Sequence, residues 1–243
     1  MTYCVGILLN EGLVMASDSR TNAGVDRVST FRKMFRFRVD GERVMCLVTA
    51  GNLSITQAMV SKLVEDNKNA EAPNLLNAAN MFEAAQRVGD AMRAIYDREG
   101  AYLKKHNVTF TSSFILGGQI KGEAPRLFRI YEAGNFIEAG DDTTYFQIGE
   151  TKYGKPILDR VVGPETPLTE AAKCALISFD STMRSNISVG PPIDFFCYRT
   201  DSLTAAFHQR LDEDDPYLAE IRHGWGEGLK AAFNGLRAPD WKF

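Results

Sequence analysis

Short β-prone runs come in blocks along this chain, and the blocks are separated by pairs of stretches with helical periodicity. The first block reads as two hairpins. Tyr3 to Leu9 and Leu13 to Ser17 flank a turn at Asn10, Glu11 and Gly12, and Met34 to Val39 and Val44 to Thr49 flank an Asp40-Gly41 turn signal. Apolar residues at Ile55, Met59, Val60, Leu63 and Val64, and again at Met81, Ala85, Val88, Met92 and Ile95, then recur at the spacing of one helix face. A second block follows at Ser113 to Leu116, Leu127 to Tyr131, Asn135 to Ala139 and Tyr145 to Ile148. Helical stretches at Pro156 to Val161 and Pro167 to about Ser185 come next, with Thr166 as the expected cap and Pro167 at the first helical position. Strands at Ile193 to Tyr198 and Leu203 to Phe207 lead past the acidic run Asp212 to Asp215 into a last helix carrying Leu218, Ile221, Trp225, Leu229 and Phe233.

Hairpin connections inside each block argue against repeated βαβ units, which need a long crossover between neighbouring strands. The expected class is α+β, a four-layer αββα sandwich of two antiparallel sheets flanked by helices. The length of 243 residues, with 44% hydrophobic and 24% charged residues, suits a single domain over residues 1–243. No linker, repeat or low-complexity segment divides it.

Charge and motif content narrow the function. A net charge of -3 with no Lys/Arg run offers no surface for a phosphate backbone, so nucleic acid is not an expected partner. No stretch is long and apolar enough to suggest a membrane span. Four scattered cysteines, Cys4, Cys46, Cys174 and Cys197, lack a disulfide or zinc spacing and fit a reducing cytoplasm. With only His106, His208 and His223, and no H-E-x-x-H, G-x-S-x-G, Walker or G-x-G-x-x-G pattern, no metal or cofactor is called for.

The N-terminus then becomes the chemical candidate. Met1 is followed by Thr2, a residue small enough for the initiator methionine to be removed, and removal would leave Thr2 with a free α-amine. Such a residue holds a hydroxyl nucleophile and its own base, because an α-amine with a pKa of about 7.7–8.0 is partly neutral at cellular pH. Taken alone, a Thr in second place is common and reads as the plain frayed end of a chain.

Residues 13–21, Leu-Val-Met-Ala-Ser-Asp-Ser-Arg-Thr, give Thr2 a context. In spacing and wording they resemble the proteasome β-subunit family of N-terminal-nucleophile hydrolases. In that family the terminal Thr is followed sixteen residues on by an Asp in a strand ending like A-D-S-R-T, and about thirty-two residues on by a Lys. Here Thr2 to Asp18 is sixteen and Thr2 to Lys33 is thirty-one, one residue short in a loop. The opening Met-Thr-Tyr-Cys-Val-Gly is similar to the bacterial ancestral β-subunit group, Anbu.

The resemblance implies a threonine peptidase or amidase. Thr2 would be the nucleophile, Lys33 the cation that favours its alkoxide and lowers the α-amine pKa, and Asp18 the residue that orients Lys33. Gly51 would donate its N–H to the oxyanion; a plain strand-to-helix turn glycine is the alternative reading. Thr21 would pair with the substrate backbone, and Arg20 beside it would serve the substrate side, hold the Asp18 turn or be solvated.

Farther along, the family's Gly-Ser-Gly is replaced by Gly149, Glu150 and Thr151, so the serine that helps the terminal amine is not evident. Its Asp and following Ser-Gly have Asp180 and Ser185, with Asn186 next to it, as candidates at a longer spacing. Cys4, two residues from Thr2 on the same strand face, is read as packing. The partners implied are a peptide or small amide substrate and further copies of the chain, in a ring or an open helical turn; whether an ATPase joins them is left open. A silent scaffold subunit is the rival reading, and an amidase for a small or nonstandard amide is the other.

Overall fold

The computed structural model describes residues 1–22, 28–204 and 207–241. In chain order its elements are β1 (Tyr3–Leu9), β2 (Gly12–Asp18), β3 (Arg20–Asn22), β4 (Val28–Thr30), β5 (Met34–Val39), β6 (Arg43–Gly51), α1 (Leu53–Asp66), α2 (Met81–Lys105), β7 (Ser112–Ile120), β8 (Arg126–Ile130), β9 (Phe136–Glu138), β10 (Tyr145–Gly149), α3 (Lys155–Val161), α4 (Leu168–Ser185), β11 (Ile193–Arg199), β12 (Phe207–Leu211) and α5 (Pro216–Asn234).

Two five-stranded sheets, ordered β10-β1-β2-β11-β12 and β5-β6-β7-β8-β9, are antiparallel throughout. Side-chain alternation along each strand divides the core into three layers. Cys4, Leu13, Met15, Cys46, Val48, Ile115, Phe146 and Phe196 fill the space between the sheets. On the outer face of the second sheet, Met45, Leu47, Leu116 and Phe128 pack against Met59 and Leu63 of α1 and Val88 and Met92 of α2. On the outer face of the first, Val5, Ile7 and Phe195 meet Ala171, Ala175 and Phe179 of α4, Leu158 of α3 and Leu218 of α5. The chain is thus the expected αββα sandwich.

Local chemistry sets the element ends. Asn52 caps α1 by accepting from the Ser54 N–H at 3.0 Å. Asn80 caps α2 from the Glu83 N–H at 2.9 Å, and Asp215 caps α5 ahead of Pro216. Gly12 turns the first hairpin at φ +146°, where a Cβ would overlap the Tyr198 carbonyl oxygen.

Three expectations are corrected. Thr166 does not cap α4: its Oγ1 accepts from the Gly163 N–H at 2.9 Å, closing the preceding turn, and Pro167 itself is the N-cap. The expected loop from Asp18 to Lys33 carries the short hairpin β3/β4, with residues 23–27 outside the described residues. The last strand lies at Phe207–Leu211, not 203–207. Leu203 sits at φ +42° with its carbonyl accepting from the Gly41 N–H, so it turns the chain instead of entering the sheet. Ala205 and Ala206 of the expected run lie outside the described residues.

Candidate active site

The sheet ends bring the N-terminus, β2, β6 and β10 to one edge. Tyr3 pairs with Gly149 across β1/β10, and the Thr2 carbonyl accepts from the Glu150 N–H at 2.7 Å. Gly149 is required there: it has φ +82°, and a Cβ would overlap the Thr2 carbonyl oxygen. Behind this arm the Tyr3 hydroxyl lies 2.8 Å from both Gln147 Nε2 and Ser178 Oγ, tying the start of β1 to β10 and α4.

Asp18 ends β2 fully buried. Its Oδ1 accepts from the Tyr3 N–H at 3.1 Å and from Lys33 Nζ at 2.8 Å. The Lys33 ammonium, on a residue only 4% exposed, also donates to the Arg20 carbonyl at 2.6 Å. The Lys33 carbonyl in turn accepts from the Thr49 N–H at 3.0 Å, so β6 fixes the lysine backbone. Burial pushes the Asp18 carboxyl up to about 6, against the downward pull of Lys33 and the Tyr3 N–H. A buried ion pair costs several kcal/mol per ion in desolvation, so this one is a poor way to gain stability.

Thr2, Thr21, Lys33, Thr49, Gly51 and Gly149 line a cleft of about 480 Å³, a volume within the range of small-molecule sites. Gly51 closes β6 at φ +126°, against the Thr111 backbone, one residue before the α1 cap. A larger hollow of about 900 Å³ beside the end of α2, lined by residues such as Tyr96, Lys104 and Phe110, contains none of the candidate groups.

Other candidates are placed elsewhere. Arg20 does not line the cleft: its Nη1 donates to the Ile187 carbonyl at 3.1 Å and its guanidinium lies against Gly190, clamping the segment between α4 and β11. Asp180 lies on α4 with the guanidinium Nε atoms of Arg184 and Arg222 each at 3.4 Å, and Ser185 is exposed at the helix end. Neither lines the cleft. The groups that do flank the N-terminal arm are Glu150 and Asn186: Glu150 Oε2 accepts from Asn186 Nδ2 at 3.1 Å, and that amide lies 3.9 Å from the Met1 Sδ. The sequence flags both positions, as a replaced serine and as the residue after Ser185, but gives neither side chain a direction. Cys4 is buried with its Sγ 3.4 Å from the Thr49 carbonyl, and burial holds its thiol protonated well above the usual range, so it packs.

The family described as "Proteasome subunit" matches residues 2–195 of the chain. The chain belongs to the proteasome subunit family. Solved structures of bacterial ancestral β-subunits agree with it over nearly the whole length. "Anbu (ancestral beta-subunit) from Yersinia bercovieri" is 51% identical with a TM-score of 0.93, covering 99% of this chain and 100% of that one. An "Anbu (Gly-1) mutant" from Hyphomicrobium sp. strain MC1 is 48% identical with a TM-score of 0.92 over 99% and 100%. "Helical Assembly of the Anbu Complex from Pseudomonas aeruginosa" is 46% identical with a TM-score of 0.93 over 98% of both chains. A comparison with curated protein sequences gives no match. The chain thus has the fold of the proteasome family, and a second-position threonine and a lysine paired with a buried acid meet at one cleft.

Proposed function

We propose that the chain is an amide hydrolase of the threonine-peptidase type that uses Thr2, after loss of Met1, as its nucleophile. The observation that carries this reading is the buried Asp18–Lys33 pair, with Lys33 opening into the same cleft as Thr2 and Gly51. The Thr2 hydroxyl attacks the substrate carbonyl while the α-amine takes its proton, Lys33 favours the alkoxide, and Gly51 N–H receives the oxyanion. The amine returns the proton to the leaving amine as the C–N bond breaks. Water then cleaves the acyl ester on Thr2 and releases the acid. Thr21, on the cleft wall, pairs with the substrate backbone.

A silent scaffold would gain nothing from a desolvated carboxylate and ammonium, so the hydrolase reading accounts for more of the site. The working unit is a homo-oligomer of single-domain subunits; the helical assembly of the Pseudomonas aeruginosa relative supports this. Four free cysteines fit the cytoplasm as its compartment.

Thr2→Ala, purified as an intact assembly, should lose all turnover of an amide substrate panel that the parent cleaves. Full turnover in that variant would remove the proposal.

A further inference from the structure

Glu150 is a buried carboxylate with no cationic partner among the described residues. It is 7% exposed; its Oε1 accepts from the Lys152 backbone N–H at 3.2 Å and its Oε2 from Asn186 Nδ2 at 3.1 Å. No ion pair among the described residues includes it, although a charge is seldom left buried with neutral partners only. Its place is fixed against the N-terminal arm. The Glu150 N–H donates to the Thr2 carbonyl at 2.7 Å, Gly149 leaves that carbonyl no slack, and the amide that grips the carboxylate also borders Met1. Asp18 is paired with Lys33, and Asp180 with Arg184 and Arg222.

Loss of Met1 alters this balance. Water adds across the Met1–Thr2 amide, free methionine departs, and the nitrogen of Thr2, whose carbonyl accepts from the Glu150 N–H, becomes an α-ammonium. We infer that Glu150, gripped by Asn186, is the counter-ion of the processed Thr2 α-amine. It acts as a positioning residue that aims the nitrogen at the Thr2 hydroxyl and sets the pH at which that nitrogen can serve as base. The inference rests on the reading of Thr2 as a processed N-terminus. It adds an anionic partner for the amine at the position where the sequence shows only a missing serine.

The test uses full-length protein treated with methionine aminopeptidase, with loss of Met1 confirmed by intact mass. Reductive methylation with ¹³C-formaldehyde across pH, read on the N-terminal peptide, gives the titration midpoint of the α-amine in the folded assembly. A neighbouring carboxylate holds an ammonium charged, so Glu150→Gln should lower the midpoint by about one to three pH units. Glu150→Ser, a second neutral variant should the first fail to fold, should do the same, and Glu150→Asp should restore most of the parent value. The rate of Thr2 acylation by a hydroxyl-directed electrophile should move with the midpoint. A folded neutral variant whose amine titrates as in the parent overturns the inference. The amine titration is read whether or not Thr2 is reactive. A shifted midpoint in a protein whose Thr2 is never acylated would therefore sink the hydrolase reading and leave the counter-ion standing.

Discussion

Replacing Lys33 by Met removes the ammonium but keeps much of the side-chain volume, and the cost should depend on pH in a calculable way. In the parent, burial raises the Asp18 carboxyl to about 6 while Lys33, 2.8 Å away, pulls it down. An acid whose folded pKa is raised contributes stability that is complete below its unfolded value, near 4, and is lost as pH rises through the folded value. Between pH 5 and pH 8 the parent should therefore lose about 1 kcal/mol through this group. Without Lys33 nothing of opposite charge offsets burial. If the carboxyl then titrates at or above about 8, the same interval costs about 4 kcal/mol. The destabilisation caused by Lys33→Met should thus be about 2–3 kcal/mol larger at pH 8 than at pH 5, in line with the cost of breaking a buried pair. Urea unfolding at the two pH values, at one protomer concentration, measures it. Asp18→Asn in the same background should abolish the difference. An equal loss at both pH values would refute the reasoning, since Asp18 would then not be carrying the unpaired charge.

The same titration bears on the cleft: acylation of Thr2 should fall as pH drops through about 6, where Asp18 takes up its proton, and Asp18→Asn should remove that limb from the profile. Gly51→Ala should destabilise the β6–α1 junction, because its φ is +126° and the added Cβ meets the Thr111 carbonyl. It should also slow acylation if the Gly51 N–H is the oxyanion donor, because the backbone must shift to relieve the Cβ clash and carries that N–H with it. Arg20→Ala should raise hydrogen exchange in residues 187–190, which its guanidinium clamps, with the cleft-lining strands unchanged. Asp180→Asn should leave Thr2 acylation at the parent rate, because Asp180 faces Arg184 and Arg222 on α4 and α5.

What is legible in the sequence is what depends on local pattern. The Asp40-Gly41 turn, the alternation in β1, β2, β5 and β6 and the helical periodicity of α1 and α2 each specify an element within a few residues, and hairpin linkage specifies antiparallel sheets. The sixteen-residue separation of Thr2 from Asp18 is legible through the family resemblance, and it sets Thr2 just ahead of β1 and Asp18 at the end of β2 in one hairpin, where Cys4 pairs with Ser17. Elements whose form depends on distant partners were misread. Leu203 looks like a strand residue, but its carbonyl is used by Gly41. Arg20 has the sequence neighbours of a cleft residue, yet its direction is set by Ile187 and Gly190 on a loop far along the chain. Asp180 and Ser185 are candidates only through the family resemblance, at a longer spacing than the family's, and helix phase turns Asp180 toward α5. Glu150 and Asn186 meet only because β10 and the end of α4 converge on the N-terminal arm, which no local pattern encodes.

Intact-protein mass spectrometry before and after exposure to a hydroxyl-directed electrophile, followed by mapping of the adduct, tests the proposed chemistry most directly. The expected result is a chain lacking the mass of methionine that gains one adduct, carried by Thr2 and absent from both Thr2→Ala and Lys33→Met. A chain that keeps Met1 and still hydrolyses amides, or an adduct carried by another residue at the same rate in Thr2→Ala, would contradict it.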